Sequence, residues 1–194
     1  MLLVVDCCIR GDDSATRKYY QAYLQARGAT DVVKVELAQL PLRPLDEAML
    51  HKRDLLCAQG DFGHEMFHLA WQFKQAEEIL LAAPFWDLSF PALLKVYLEW
   101  VCVNGVTFGY TADGRCQGYC RARQLHYFST CGGFCGGHNL GFEYVQALAA
   151  MLGIEQSIPY IAEGLDIDPS RREDVLDEAI RSLPRLIGKE DAGR

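Results

Sequence analysis

The sequence lacks a long apolar segment, a cluster of basic residues and any internal repeat. No stretch approaches the roughly 20 apolar residues that span a bilayer, and the first six residues have neither the basic start nor the apolar length of a signal peptide. The net charge of -7 and the absence of clustered Lys and Arg argue against a nucleic-acid partner. We therefore expect a cytoplasmic protein that binds neither membranes nor nucleic acid.

Cysteine, by contrast, is abundant. In the reducing cytoplasm, cysteines serve as packing residues, redox-active thiols or metal ligands before they form disulfides. The pairs Cys116/Cys120 and Cys131/Cys135 have a longer spacing than the usual two-residue metal knuckle. Unligated thiols are therefore favoured, and no metal site is expected. The eight cysteines are Cys7, Cys8, Cys57, Cys102, Cys116, Cys120, Cys131 and Cys135.

Short strand patterns alternate with helical patterns along the chain, which is typical of an α/β domain with a doubly wound parallel sheet. We expect one domain over residues 1–187 and a frayed tail over residues 188–194, with Pro184 ending or kinking the last helix. The predicted strands cover residues 2–8, 31–37, 79–83, 125–131 and 157–162. The predicted helices cover residues 14–27, 64–76, 90–103, 140–152 and a segment from about 168.

Two segments are less regular. Residues 45–62 hint at a short helix, which Gly60 and Gly63 would break. Residues 104–123 are rich in Gly and Tyr and have a length typical of an irregular functional loop.

The central strand pattern leads into an aromatic loop. The apolar run at residues 79–83 ends at Pro84, which cannot donate a hydrogen bond to a sheet. Residues 85–88 form a short loop, Ser89 offers a capping oxygen, and Pro91 suits the first turn of a helix. Because ligands of open α/β sheets lie outside the carboxyl ends of the strands, we expect a flat cofactor at this loop.

Two motifs carry a family resemblance. Residues 84–95, Pro-Phe-Trp-Asp-Leu-Ser-Phe-Pro-Ala-Leu-Leu-Lys, resemble the flavin-edge motif of the FMN-dependent NAD(P)H azoreductases and quinone reductases of the flavodoxin-like superfamily. Residues 105–111, Gly-Val-Thr-Phe-Gly-Tyr-Thr, together with Asp113 and Gly114, resemble a second motif of the same family.

The resemblance implies a flavodoxin-like fold whose five strands take the order 2-1-3-4-5. It also implies an FMN whose N5 carries the hydride without a catalytic side chain, and NAD(P)H as co-substrate. NAD(P)H and a flat acceptor, such as a quinone, an azo dye or a nitroaromatic, would use the same place in turn, in a ping-pong reaction. The family builds this pocket across a homodimer interface.

The turn after the first strand is the expected phosphate site. A helix N-terminus presents free N–H groups and a partial positive charge, and here Ser14 and Thr16 add hydroxyls while Arg10 or Arg17 adds charge. The segment 10–17 resembles the family's Arg-Gly-x-x-Ser-x-Ser-Arg loop. Its two aspartates, at 12 and 13, should point to solvent. On this turn alone, an ordinary capped helix explains the pattern equally well.

The loop after the fourth predicted strand resembles the family's Ser-x-Gly-Gly segment, in which glycine lets the backbone approach the flavin. An ordinary strand-to-helix turn would use the same glycines. One departure from the family is Asp87, where Asn is usual; a carboxylate there would accept a hydrogen bond from the flavin N3–H and repel a reduced, anionic flavin.

These arguments define the expected site. Aromatic residues on loops at the strand ends suit a pocket for flat rings, so Phe90, Phe108, Tyr110 and Tyr119 form the expected substrate pocket. The expected cofactor-binding residues are Cys8, Arg10, Ser14, Thr16, Pro84, Phe85, Trp86, Asp87, Leu88, Ser129, Thr130, Cys131, Gly132, Gly133 and Phe134.

Other functions remain open at this point. The segment from His64 to His68 reads His-Glu-x-x-His, the pattern of zinc hydrolases. On a helix, this spacing would set both imidazoles on one face as zinc ligands, with Glu65 as the base. An ordinary packed helix is favoured, because no third ligand is evident nearby. Within the flavodoxin-like fold, an electron carrier, a partner-specific flavin reductase and a scaffold without cofactor are the alternatives.

Overall fold

The computed structural model describes residues 1–192, and the side chains of residues 1–187. Within that part of the chain the strands are β1 (Leu2–Asp6), β2 (Val32–Glu36), β3 (Glu78–Ala82), β4 (Phe108–Tyr110), β5 (Cys116–Gly118), β6 (Gln124–Thr130) and β7 (Gln156–Ala162). The α-helices are α1 (Ala15–Arg27), α2 (Glu47–Gln59), α3 (His68–Gln75), α4 (Ala92–Val101), α5 (Leu140–Met151) and α6 (Arg172–Ala192).

Five strands form one parallel sheet in the order β2-β1-β3-β6-β7. Counting only the strands of this sheet, the order is 2-1-3-4-5, so the predicted flavodoxin-like fold is confirmed. All five residues of β1 are buried, as are four of the five residues of β3. A parallel sheet covered by helices on both faces requires such continuous apolar strands.

The two faces of the sheet form two separate cores. Leu3 and Val5 of β1 pack on one face with residues of α3, α4 and α5. Leu2 and Val4 pack on the other face with α1 and α6. Successive side chains of a strand point to opposite faces, so one short apolar run supplies both cores.

Most predicted elements are present, with differences at their ends. The doubtful segment at 45–62 contains α2, which ends at Gly60 with a φ of 70°. Pro184 lies inside α6, so the helix continues past it. The predicted frayed tail lies in residues whose side chains fall outside the description, and it stays a prediction, as does the domain boundary at 187. None of the helices in the described part of the chain combines the length with the apolar composition of a membrane-spanning segment.

The segment at 104–123 is not wholly irregular. It contains the antiparallel hairpin β4–β5, in which Phe108 pairs with Gly118 and Tyr110 pairs with Cys116. A Cβ on Gly118 would overlap the backbone of Leu152, so only glycine allows this close approach to the end of α5.

Candidate functional site

The carboxyl ends of four sheet strands open into one cleft. The loops that follow β1, β3, β6 and β7 line it, which is where open α/β sheets bind their ligands. Its lining residues are Ile9, Arg10, Asp13, Ser14, Ala15, Pro84, Phe85, Trp86, Thr130, Cys131, Gly132, Leu165, Asp166 and Arg172.

One side of the cleft is the N-terminus of α1. Ser14 has an extended backbone, and its Oγ accepts a hydrogen bond from the N–H of Arg17 at 3.4 Å. The Oγ atoms of Thr16 and Thr130 lie 2.7 Å apart and tie this turn to the loop after β6. The first N–H groups of a helix have no partner within the helix, so this side of the cleft is prepared for an anion.

The two arginines of this turn have different positions. The Nη2 atom of Arg17 lies 2.8 Å from Asp6 Oδ2 and 3.0 Å from Glu36 Oε2. Arg17 is therefore held by carboxylates beside β1, whereas Arg10 lines the cleft. Asp12 and Asp13 are both exposed, as expected, and Asp13 also lines the cleft.

A tight turn presents Trp86 to the cleft. The N–H of Trp86 donates to the carbonyl of Ser89 at 3.0 Å, and the N–H of Ser89 donates to the carbonyl of Trp86 at 2.8 Å. Between them, Asp87 and Leu88 take left-handed φ values of 51° and 66°. Asp and Asn tolerate this backbone region better than most residues, so the turn itself favours either residue at position 87.

The opposite wall of the cleft is a glycine segment bonded to the loop after β7. The N–H of Leu165 donates to the carbonyl of Cys131 at 3.1 Å, and the N–H of Asp166 donates to the carbonyl of Gly132 at 2.8 Å. A Cβ on Gly132 would overlap Asp166 Oδ2, and that carboxylate also pairs with Arg172. Glycine at 132 therefore preserves both the loop contact and the ion pair.

Eight of the predicted cofactor-binding residues line this cleft: Arg10, Ser14, Pro84, Phe85, Trp86, Thr130, Cys131 and Gly132. Cys8, Thr16 and Ser129 are buried beneath it, at 2% exposure or less. Asp87 and Leu88 are exposed at the tip of the turn, while Gly133 and Phe134 follow the glycine wall outward.

Sequence reasoning missed the loop after β7, which contributes Leu165, Asp166 and Arg172. The signal was available, because the fifth predicted strand also ends at the carboxyl edge of the sheet. That loop carries none of the family motifs present in the sequence, so only the position of the strand end could have indicated it.

The predicted substrate pocket is not assembled within one chain. Phe108, Tyr110 and Tyr119 belong to the hairpin segment, and Cys120 donates its N–H to the carbonyl of Leu152 at 3.1 Å, at the far end of α5. The placement of these aromatics at the carboxyl edge was wrong. Segment 104–123 follows a helix, so it lies at the amino edge of the sheet. The 12 residues of α5 separate the two ends by about 18 Å.

Phe90 also lies outside the cleft. Its ring packs against Tyr144 of α5, with ring centroids 5.8 Å apart, and it lies close to Gly141 at the start of that helix. Phe90 therefore packs the loop after β3 against α5.

The geometry behind the zinc hypothesis is wrong. Residues 65–67 form a 3-10 turn, so the motif does not lie on one α-helix. His64 Nδ1 accepts a hydrogen bond from the N–H of Met66 at 3.0 Å, and His68 Nδ1 lies 3.1 Å from the carbonyl oxygen of Glu65. Each imidazole thus contacts the backbone of its own turn.

Comparison with known proteins agrees with the fold. Residues 1–186 match the family model described as the flavodoxin-like fold. An azoreductase structure from Bacillus anthracis str. Sterne has a TM-score of 0.80 at 20% identity, covering 97% of this chain and 98% of that one. The structure of an FMN-dependent NADH-azoreductase from Bacillus anthracis str. Ames Ancestor in complex with FMN has a TM-score of 0.77 at 20% identity, with coverages of 95% and 98%.

Curated relatives are more similar in sequence. The FMN-dependent NADH:quinone oxidoreductase 2 of Clostridium acetobutylicum is 37% identical over 122 residues, and the match covers 60% of each chain. The FMN-dependent NADH:quinone oxidoreductase of Clostridium beijerinckii is 30% identical over 152 residues, covering 75% of this chain and 76% of that protein. The match spans about 60% of the length of the first of these relatives. The chain therefore belongs to the flavodoxin-like fold family, and the curated relatives that it resembles are named FMN-dependent NADH:quinone oxidoreductases.

Proposed function

We propose that the chain is an FMN-dependent NAD(P)H oxidoreductase that reduces quinones, azo compounds or similar flat aromatic acceptors. The observation that carries this proposal is the cleft, which combines a helix N-terminus on one side with an exposed indole and a glycine wall on the other. An anion site beside a slot for a flat ring suits a flavin mononucleotide. The names of the curated relatives support the same activity.

The residues present fit this cofactor. The phosphate would contact the first N–H groups of α1, the Ser14 hydroxyl and Arg10. The ring would lie between Trp86, which is 43% exposed, and the backbone at Gly132, where a side chain would intrude on Asp166.

FMN, when bound, supplies the hydride chemistry, so no side chain of this protein has to act as acid or base. The protein binds and orients the ring, and it leaves one place that NAD(P)H and the acceptor occupy in turn. We expect ping-pong kinetics for this reason.

A homodimer would explain where the hairpin aromatics act. Tyr110 is 63% exposed and lies at the opposite edge of the sheet from the cleft. In an antiparallel arrangement of two copies, the hairpin of one chain would reach the cleft of the other. The cytoplasmic location and the homodimer both remain predictions.

The first experiment is the visible absorption spectrum of the purified protein, before and after NADH is added without oxygen. We expect a yellow protein that NADH bleaches and that a soluble quinone restores through many turnovers. Bleaching without quinone turnover would point to an electron carrier or a partner-specific flavin reductase.

A colourless protein that does not take up added FMN would overturn the proposal. NADPH in place of NADH, measured in the same way, then ranks the two reductants by their rates of bleaching.

A further inference from the structure

Two cysteine side chains meet in the wall of the cleft. The Sγ atoms of Cys131 and Cys135 lie 3.1 Å apart, about 1 Å beyond the length of a disulfide bond. Both residues are buried, at 1% and 9% exposure. Cys131 also lines the cleft.

The two cysteines are held differently. The backbone of Cys131 is fixed, because its N–H donates to the carbonyl of Ala162 at 2.8 Å and its own carbonyl accepts from Leu165. Cys135 lies on a loop that also holds Gly136 and Gly137, both of which have left-handed φ values. A fixed thiol facing a thiol on an adaptable loop can close to a disulfide with little rearrangement.

A carboxylate completes the cluster. Glu163 Oε1 accepts the N–H of Cys135 at 2.9 Å, and within the described residues Cys131, Cys135 and Glu163 bring their side-chain ligand atoms within 4.8 Å of one another. Burial raises the pKa of both thiols, so the pair rests as two neutral thiols at neutral pH.

We propose that Cys131 and Cys135 are a redox-active pair that forms a reversible disulfide in the wall of the cleft. The oxidant belongs to the class of small-molecule disulfides. Cys135, the more exposed of the two, gives up its proton, and its sulfur attacks one sulfur of that molecule to form a mixed disulfide. The first small thiol leaves with that proton. Cys131 then gives up its own proton and attacks the Cys135 sulfur, which breaks the mixed disulfide, and the second small thiol leaves with that proton. Two protein thiols are oxidised, and one small disulfide is reduced to two thiols.

The chain contains a matched pair that should not react in this way. Cys116 and Cys120 have the same spacing in sequence. Their Sγ atoms point to different acceptors, with Cys116 Sγ at 3.9 Å from the Met151 carbonyl and Cys120 Sγ at 4.0 Å from the Thr107 carbonyl. Cys116 is exposed, so access alone would favour oxidation of this hairpin pair.

The test is oxidation of the purified full chain with oxidised glutathione, followed by titration of free thiols and mapping of cross-linked peptides by mass spectrometry. We expect a loss of two of the eight thiols, a cross-link between residues 131 and 135, and full recovery with dithiothreitol. Amide hydrogen exchange in residues 132–139 should slow in the oxidised form, because the bond closes the glycine loop.

The variants Cys131→Ser and Cys135→Ser should each abolish the cross-link, whereas Cys116→Ser should leave it unchanged. Unfolding curves of the variants establish that each one folds. A cross-link at Cys116 and Cys120 instead, or no loss of thiols in the folded wild-type chain, would overturn the proposal. One equivalent of retained zinc that protects Cys131 and Cys135 would also overturn it, because the cluster would then be a metal site. None of these measurements requires bound flavin, so they stand apart from the proposed function.

Discussion

The two segments that resemble the azoreductase family lie at opposite edges of the sheet. Residues 84–91 follow a strand and help to form the cleft, where Trp86 is exposed. The hairpin β4–β5 follows a helix and lies at the amino edge, where Tyr110 is exposed. Both segments match the family's motifs, but only residues 84–91 lie where they can contact a ligand bound in the cleft of the same chain.

The electrostatic character of the two edges also differs. Helix N-termini point toward the carboxyl edge and favour anions there, while helix C-termini point toward the amino edge. The amino edge has a wide concavity of about 600 Å³, lined by charged and amide side chains such as Glu78, Arg123 and Glu155. Volume alone would select this concavity as the binding site, whereas the helix N-terminus and the aromatic loop select the smaller cleft.

The largest effect should come from closing the cleft. Gly132→Val adds a side chain that overlaps Asp166, which pairs with Arg172. The valine side chain would also displace the wall against which we place the ring. A steric cost of about 3 kcal/mol in the bound state would lower FMN affinity by roughly a hundredfold. A fluorescence titration with FMN measures this change.

Gly63→Val is the matched control. Gly63 lies in a different loop, and a Cβ there meets only Asp61 Oδ1, at 3.8 Å. If Gly132→Val bound FMN with wild-type affinity, the flavin would have to lie elsewhere than against the glycine wall.

The second effect concerns stability at the amino edge. Glu78 Oε1 lies 2.6 Å from Arg27 Nη1 and 2.5 Å from His126 Nε2. Burial alone would raise its pKa, but these hydrogen bonds lower it from 4.5 to about 2. A lowered pKa stabilises the fold above the unfolded value, so stability should fall as the pH drops from about 4.5 toward 2.

Glu78→Gln should therefore lose on the order of 2 kcal/mol of unfolding free energy at pH 7 and depend less on pH in the acid range. Urea unfolding at several pH values measures both quantities. Glu155→Gln, an exposed residue on the same edge, should behave as wild type. An unchanged acid profile in Glu78→Gln would show that other carboxylates control acid unfolding.

The third effect connects the two edges. If the hairpin of one chain completes the cleft of another, Tyr110→Ala should slow quinone turnover by roughly tenfold, the value of one lost aromatic contact. FMN affinity should stay unchanged, whereas Trp86→Ala should weaken it. Sedimentation and steady-state kinetics test this arrangement. A monomer with full quinone turnover would show that the hairpin takes no part in catalysis.

The smallest effect should occur at position 87. Asp87→Asn keeps a residue that tolerates the φ of 51°, so unfolding free energy and FMN affinity should stay close to wild type. Asp87→Val should cost about 1–2 kcal/mol of stability, because a β-branched side chain opposes that backbone region. A redox titration of the Asn variant measures the carboxylate's influence on a bound flavin; an unchanged potential would assign the residue to the turn alone.

Much of the fold could be predicted because its signals are local. Unbroken apolar runs identified β1 and β3, and Ser14 and Gly28 bounded α1 as expected. The hairpin was missed because its strands have three residues each, too few for a clear alternation. The weak pattern of α2 reflects its poor burial, with Leu56 as its one buried residue.

The candidate site was predicted in part. Arg10, Ser14, Trp86 and Gly132 could be proposed because each lies in a loop, or at the start of a helix, that follows a predicted strand. The burial of Ser129 could not be anticipated, because it depends on how helices cover the sheet.

By itself, the sequence determined the alternation of strands and helices and the loops that meet at the carboxyl edge, since these follow from periodicity and capping within short windows. Only the tertiary structure decided that Arg17 turns to Asp6, that Asp166 meets Gly132 and that Cys131 meets Cys135 while Cys120 turns away. These contacts depend on the directions in which side chains leave the backbone and on the packing of distant segments. Neither can be predicted from the spacing of residues along the chain.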